Sequence, residues 1–258
     1  MQNITLSFYD SLADDYHLIY TNWEEARTRQ AAAISAWLSA LGHSDTTPLL
    51  DCACGIGTQV LGLAQLGYSQ LWGTDLSPKA IDRAKREASR LGLRLPLEAV
   101  DIRRLREWAP RQFQVILAVD NVLPHFLTDA DMQKALRNIY HCLEKGGAFI
   151  ATLRDYTQLL QRRPALSPVT RSQPDGRKHF TFQEWNWQEE APIYEFRHFT
   201  VSETSQGWAA KVRTGYYRAW AKAPLLHQFR LAGFSDTQWL DAREANFYQP
   251  AIIAKKQR

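Results

Sequence analysis

Sulfur is scarce in this 258-residue chain, which carries three cysteines and two methionines. Three thiols cannot build a disulfide framework, so the fold must be held by an apolar core, and a reduced, cytoplasmic setting is expected. Cys52 and Cys54 are separated by one residue instead of the two of a redox or zinc-binding pair, and no second cysteine pair follows. They are expected to be small apolar fillers of a turn, with no metal site. Also missing is any run of roughly eighteen apolar residues or an amino-terminal signal-peptide pattern, so neither a membrane span nor export is expected. Charge of one sign is not concentrated anywhere. The net charge is +4 with a pI near 9.0, but the basic residues form only short clusters at Arg103-Arg104-x-Arg106, Arg162-Arg163 and Lys255-Lys256. No zinc knuckle or arginine-rich tail accompanies them, which disfavours nucleic acid as a partner and makes the first cluster a solvated face.

The segment Leu49-Leu50-Asp51-Cys52-Ala53-Cys54-Gly55-Ile56-Gly57 runs from an apolar strand through an acidic residue into a Gly-x-Gly turn. Glycines there let the backbone approach a ligand closely. Asp75 ends the next apolar run, where a carboxylate can accept hydrogen bonds from both hydroxyls of a ribose. A dinucleotide fingerprint needs a third glycine, yet Val60 stands there, and no Lys-Ser/Thr pair follows to form a phosphate loop. A carboxylate such as Asp51 repels a pyrophosphate and suits an ammonium group. The expected cofactor therefore carries a ribose and a cationic amino-acid tail, which describes S-adenosyl-L-methionine (SAM).

On these motifs the chain resembles the class I SAM-dependent methyltransferases. The fold implied is α/β: a Rossmann-like, seven-stranded, mostly parallel sheet with helices on both faces. The strand pattern agrees, since apolar runs at 97–102, 113–119 and 146–153 alternate with helical patterns at 57–66, 78–90 and 129–143. Ser77-Pro78 reads as a helix start, and Thr128 as a second cap. The resemblance implies that Asp51, Ala53, Cys54, Gly55 and Gly57 surround the methionine moiety. It places Asp75 and Leu76 at the ribose, Asp101 and Ile102 at adenine, and Asp120 and Asn121 beside the cofactor after strand four. Tyr9-Asp10-Ser11-Leu12-Ala13-Asp14-Asp15-Tyr16 matches a lid segment of small-molecule methyltransferases, which adds Tyr9 and Tyr16 to the cofactor site. The surrounding residues 3–22 have the periodicity of one amphipathic helix.

The chain is expected to divide into a lid and SAM-binding core (1–156), an antiparallel β insertion for substrate recognition over the active site (157–222), and a final helix and strands completing the core sheet (223–258). The insertion shows three alternating, aromatic-rich strands at 178–187, 193–201 and 208–220. Together with Leu153-Arg154-Asp155-Tyr156 and the Asn121-Val122-Leu123-Pro124-His125 loop it is most similar to the glycine and sarcosine N-methyltransferases. That similarity implies a small-molecule methyl acceptor, with Arg154 as a carboxylate clamp, His125 as a general base and Tyr156 in the pocket. Arg154 could equally be ion-paired to Asp155, and His125 could simply orient its loop. Trp185, Trp187, Tyr194, Arg197 and Tyr216 are further candidates to line the pocket. Open alternatives are an O-methyltransferase of another small metabolite and a SAM-binding regulatory or assembly protein without turnover. Homo-oligomerisation is compatible with the sequence.

Overall fold

The computed structural model describes residues 2–257, with side chains from Ile4 onward; Met1 and Arg258, the outermost residues of the expected domains, lie outside them. Apolar stretches too short for helices become strands buried on both faces, as in a parallel sheet covered by helices. β1 (Leu49–Asp51), β2 (Leu71–Asp75), β3 (Leu97–Ala99), β4 (Phe113–Ala118) and β5 (Leu143–Thr152) are joined by helical crossovers. β10 (Asp236–Leu240) and β11 (Ala251–Lys255) complete a seven-stranded sheet of order β10-β11-β5-β4-β1-β2-β3, with β11 antiparallel to β5 and β10. The chain reverses its direction of strand addition between β1 and β4, and ligands of such sheets bind at the strand ends beside that switch point.

The helices are α1 (Gln2–Leu12), α2 (Trp23–Ala40), α3 (Thr58–Gln65), α4 (Pro78–Arg90), α5 (Leu105–Trp108), α6 (Asp129–Cys142), α7 (Tyr156–Arg162) and α8 (Lys222–Leu231). Both expected caps form: the Ser77 hydroxyl accepts the Ala80 N–H at 3.0 Å, and the Thr128 hydroxyl accepts that of Asp131 at 3.1 Å. The amino-terminal segment is not one helix. It breaks after Leu12 and resumes as a single 3₁₀ turn at Tyr16–Ile19, with Asp15 between them paired to Lys211 and Arg213 of the insertion.

The insertion forms a separate antiparallel sheet, β6 (Thr170–Ser172), β7 (His179–Trp187), β8 (Ile193–Thr204) and β9 (Gly207–Arg218). β6 and α7 were not legible in the sequence, since prolines flank the first and the second spans barely two turns. Alternation along β8 turns Tyr194, Phe196 and His198 inward and leaves Glu195 and Arg197 outside. Arg197 accordingly pairs with Glu184 and Glu195, and Tyr216 donates to Glu195 at 3.0 Å, so neither lines a pocket as expected.

One continuous core joins the two sheets. It runs from Leu50, Phe113 and Phe149 to Trp185, Tyr194, Phe196, Tyr217 and Trp220. Trp220 sits where the insertion returns to α8: its Nε1 donates to the Phe126 carbonyl at 3.0 Å, and the Arg218 guanidinium lies 3.7 Å over its ring. Trp220→Ala should destabilise the protein by about 3–5 kcal/mol, the scale for a buried aromatic truncation. It should lower the urea midpoint without changing the slope; a loss below about 1 kcal/mol would show that this tryptophan does not tie the insertion to the core.

Candidate active site

The first turn of the site is built by the backbone. Gly57 has φ +96° at the start of α3, and a Cβ there would come within 2.7 Å of Leu61, so the tight turn admits no side chain. Gly55 (φ +54°) faces the ring of Tyr16, which a Cβ at that position would touch at 3.7 Å. Its N–H donates to Asp75 Oδ2 at 2.9 Å, and the Ser77 N–H donates to Oδ1 at 2.8 Å. Asp75 thus bridges the ends of β1 and β2 and keeps one lone pair on each oxygen for a ligand. Burial raises its pKa to about 6, with the two backbone N–H groups acting in the opposite direction.

Asp51 is completely buried, and its Oδ2 has no hydrogen-bond partner. Burial raises its carboxyl to about 8, opposed by the Ala53 N–H and reinforced by Asp75 and Asp120. An unpartnered carboxylate in that position calls for a cation.

After β4 the chain takes two consecutive left-handed residues, Asp120 (φ +73°) and Asn121 (φ +70°). Such conformations cost roughly 1–3 kcal/mol each for non-glycine residues and need external restraint. Here Asp120 N donates to Thr152 Oγ1 at 2.9 Å and Asn121 N to the Thr152 carbonyl at 3.0 Å. Asp120 Oδ2 accepts from the Tyr20 hydroxyl at 2.7 Å and from Gln59 at 3.3 Å, and burial raises its pKa.

Two cavities meet at this point. The inner cleft is lined by Ala53, Cys54, Gly55, Asp75, Leu76, Asp101 and Ile102, and is covered by Tyr9, Tyr16 and His125. The outer chamber, of about 980 Å³, lies between the lid, β5 and the insertion sheet and is lined by Asn121, Arg154, Gln183, Trp185, His198 and Tyr217. Tyr9, Tyr16, Tyr20 and Asp120 line both. Asp51 and Gly57 support the inner cleft from behind, outside its lining.

Several side chains depart from expectation. Tyr156 lines neither cavity; it is fully buried, donates to Asn121 Oδ1 at 3.1 Å and sits 3.2 Å from the Tyr194 hydroxyl. Trp187 packs on Tyr194 behind the chamber. His125 lies 2.8 Å from the Tyr9 hydroxyl through Nε2, and burial with the charge of Arg154 lowers its pKa to about 3. It is a neutral imidazole at physiological pH, so a base titrating near neutrality is not what this position offers. Arg154 is not paired with Asp155, whose carboxylate caps α7. Its guanidinium donates to the Tyr194 hydroxyl at 3.1 Å and to Gln183 at 3.2 Å, over the rings of Trp185 and Tyr217, with no carboxylate in contact among the described residues. Arg103, expected on a solvated face, has a side chain only 15% exposed that lines the inner cleft.

Sequence reasoning missed Tyr20, Gln59 and His198. The spacing of Tyr9, Tyr16 and Tyr20, and the place of His198 two residues past Phe196, were the available signals.

The donor set fits SAM. It offers one partly unpartnered carboxylate, Asp51, behind the cleft for a cationic tail, a bridging carboxylate for a ribose, backbone without Cβ atoms, and an apolar end at Ile102. Residues 49–147 match the family described as "Methyltransferase domain". A Ribosomal protein L11 methyltransferase from Tolumonas auensis is 33% identical over 87 residues, which is 34% of this chain and 28% of that protein. The chain thus matches little more than a quarter of this curated relative's length. Among solved structures, a S-adenosylmethionine-dependent methyltransferase from Clostridium acetobutylicum superposes with a TM-score of 0.75 at 17% identity, covering 97% of this chain and 99% of that one. SAM-bound CalS10, an amino pentose methyltransferase from Micromonospora echinaspora, gives 0.71 at 17% identity over 95% of each chain. The sugar N-methyltransferase KedS8 from Streptoalloteichus gives 0.73 at 14% identity over 90% and 88%. Residues 49–147 are thus similar to a methyltransferase domain, and the chain has the fold of these S-adenosylmethionine-dependent methyltransferases. No helix among the described residues is long and apolar enough to cross a membrane.

Two outcomes follow for the cofactor. A bound cation favours the ionised forms of Asp51 and Asp75, so binding must release the protons these groups hold below pH 8 and pH 6. The SAM dissociation constant should therefore rise about tenfold per pH unit as pH falls below 8 and more steeply below 6, and rise again above 8, where the ligand's own α-amino group, of ordinary pKa about 8, loses its charge. Calorimetry from pH 5.5 to 9 checks this, and a flat profile would move the cation away from Asp51. Asp75→Ala should weaken SAM by about 1.5–3 kcal/mol, and unchanged affinity would remove Asp75 from the ribose.

Proposed function

We propose that this protein methylates a small-molecule amine that also bears an anionic group, with residues 157–222 recognising the acceptor. The observation that carries the reading is the position of Asp120, the one carboxylate that lines both cavities among the described residues. A carboxylate at that junction attracts an amine and accepts its N–H, whereas beside Asp51 and Asp75 it would repel a phenolate or a carboxylate nucleophile. Further out in the same chamber, Arg154 offers a guanidinium fork with no protein carboxylate, which suits an anionic group on the acceptor. The description of KedS8 as a sugar N-methyltransferase supports nitrogen as the acceptor atom, and that of CalS10 as an amino pentose methyltransferase supports an amine-bearing acceptor. The insertion sheet supports the division of labour: the chamber takes Thr181, Gln183, Trp185, His198 and Tyr217 from it.

When bound, SAM supplies a methyl group on a positively charged sulfur. The protein has to bring an amine lone pair in line with that methyl at ~3–3.5 Å and keep water out. Asp120 orients the amine and is itself held by Tyr20 and Gln59. Tyr9, Tyr16 and neutral His125 close the junction with aromatic surface. Because burial makes the neutral His125 a poor proton acceptor, a charged acceptor amine loses its proton to solvent or to Asp120 before attack.

The test is SAM consumption by the purified protein against amines, amino acids, amino sugars, phenols and hydroxy acids, read as S-adenosylhomocysteine formed. Turnover confined to amines, strongest for those with a carboxylate or other anionic group, is expected. Arg154→Lys should raise the KM of such an acceptor at least about tenfold while leaving SAM affinity alone, since an ammonium cannot reproduce the two-pronged contact. Turnover of phenols alone would overturn the reading, and tight SAM binding without any turnover would favour a non-catalytic binder.

A further inference from the structure

Arg103 belongs to none of the roles above, yet its environment is among the most restrictive in the molecule. The residue follows β3 in a short 3₁₀ turn begun by Asp101. Its Nη2 and Nε donate to the two oxygens of Asp101 at 2.7 and 3.1–3.2 Å, and its Nη1 donates to Asp131 of α6 at 2.8 Å. The N–H groups of a guanidinium all point outward in one plane. Three of the five N–H groups of Arg103 are committed to two carboxylates, which holds the plane of the group in place and leaves its flat, weakly hydrated face uncovered by them. The side chain is 15% exposed and lines the inner cleft, whose lining also includes Ile102 and Phe126. One cation between two carboxylates carries no surplus positive charge, so this is no anion site. A flat face beside apolar side chains recognises a flat π-system.

We propose that Arg103 is a cofactor-binding residue that lays its guanidinium plane against the adenine ring, opposite Ile102, and that Asp101 and Asp131 act as positioning residues by fixing that plane. The inference rests on the inner cleft being the SAM site. It changes the part played by Asp101, whose carboxylate is engaged with Arg103 and contributes to adenine binding through it. The two carboxylates also explain why an arginine is needed: a lysine keeps the charge but has no plane to present.

The test is calorimetric and needs no acceptor. Dissociation constants for SAM, S-adenosylhomocysteine and 5′-methylthioadenosine are compared among the wild type, Arg103→Ala, Arg103→Lys, Asp51→Asn and Asp75→Ala, with thermal unfolding of each variant. Arg103→Ala should weaken all three ligands by a similar factor of about tenfold, the scale of a buried cation–π contact, because all three share the adenine. Arg103→Lys should recover little of that loss. Asp51→Asn should weaken SAM and S-adenosylhomocysteine while sparing methylthioadenosine, which lacks the amino-acid tail. Unchanged affinities in a folded Arg103→Ala variant, or full recovery by lysine, would overturn the proposal while Asp75→Ala still weakened binding. If Asp75→Ala were also without effect, the cleft itself would be misassigned. Should Arg103→Ala fail to fold, Arg103→Lys decides alone: wild-type affinities refute a planar contact, and a shared loss for all three ligands upholds it.

Discussion

Three carboxylates buried at the carboxyl ends of β1, β2 and β4 set the terms for the rest of this structure. Burial raises the pKa of Asp51, Asp75 and Asp120, the last two raise that of Asp51 further, and none has a salt-bridge partner among the described residues. Burying an unpaired charge is expensive, and proteins that do so neutralise it by protonation or by binding a cation. The response here differs at each group. Asp75 is stabilised by two backbone N–H donors, Asp120 by a tyrosine and a glutamine, and Asp51 is left with one oxygen unpartnered. The result is a cleft with the chemistry to hold a cation, and a sulfonium with an ammonium tail suits it.

The lid and the insertion are coupled through the same region. Asp10 accepts from the Ser77 hydroxyl at 2.5 Å, Tyr9 meets His125, and Tyr20 meets Asp120, so the amino-terminal segment is fastened to β2, to the loop after β4 and to the β4 end itself. Asp15 then ties it to Lys211 and Arg213 of β9. A ligand in either cavity therefore touches elements that bound the other. Burial of the three lid tyrosines also raises their pKa well above the usual range, which keeps the junction uncharged apart from Asp120.

The cofactor half was legible because its signals are local. A glycine with positive φ, a serine cap before a proline, and acidic residues ending short apolar runs each follow from a few neighbouring residues, and the structure places them at one end of one sheet. The acceptor half was less legible. Aromatic strands at 178–220 read correctly as an antiparallel meander, but the face of each residue depended on pairing register, which put His198 and Tyr217 toward the chamber and Arg197 and Tyr216 away from it.

By itself, then, the sequence determined the order of strands and helices, the glycine turn and the acidic positions, since these depend on backbone conformation and short-range periodicity. It also determined that the cofactor should be cationic rather than phosphorylated, because one carboxylate before a two-glycine turn decides that chemically. Only the tertiary structure decided the protonation and pairing of the site. His125 is neutral because distant elements desolvate it, Arg103 turns inward because Asp131 on α6 receives it, and Arg154 stays unpaired because Asp155 is consumed by a helix cap. Those outcomes depend on burial and on partners far away in the chain, and neither quantity exists until the chain has folded.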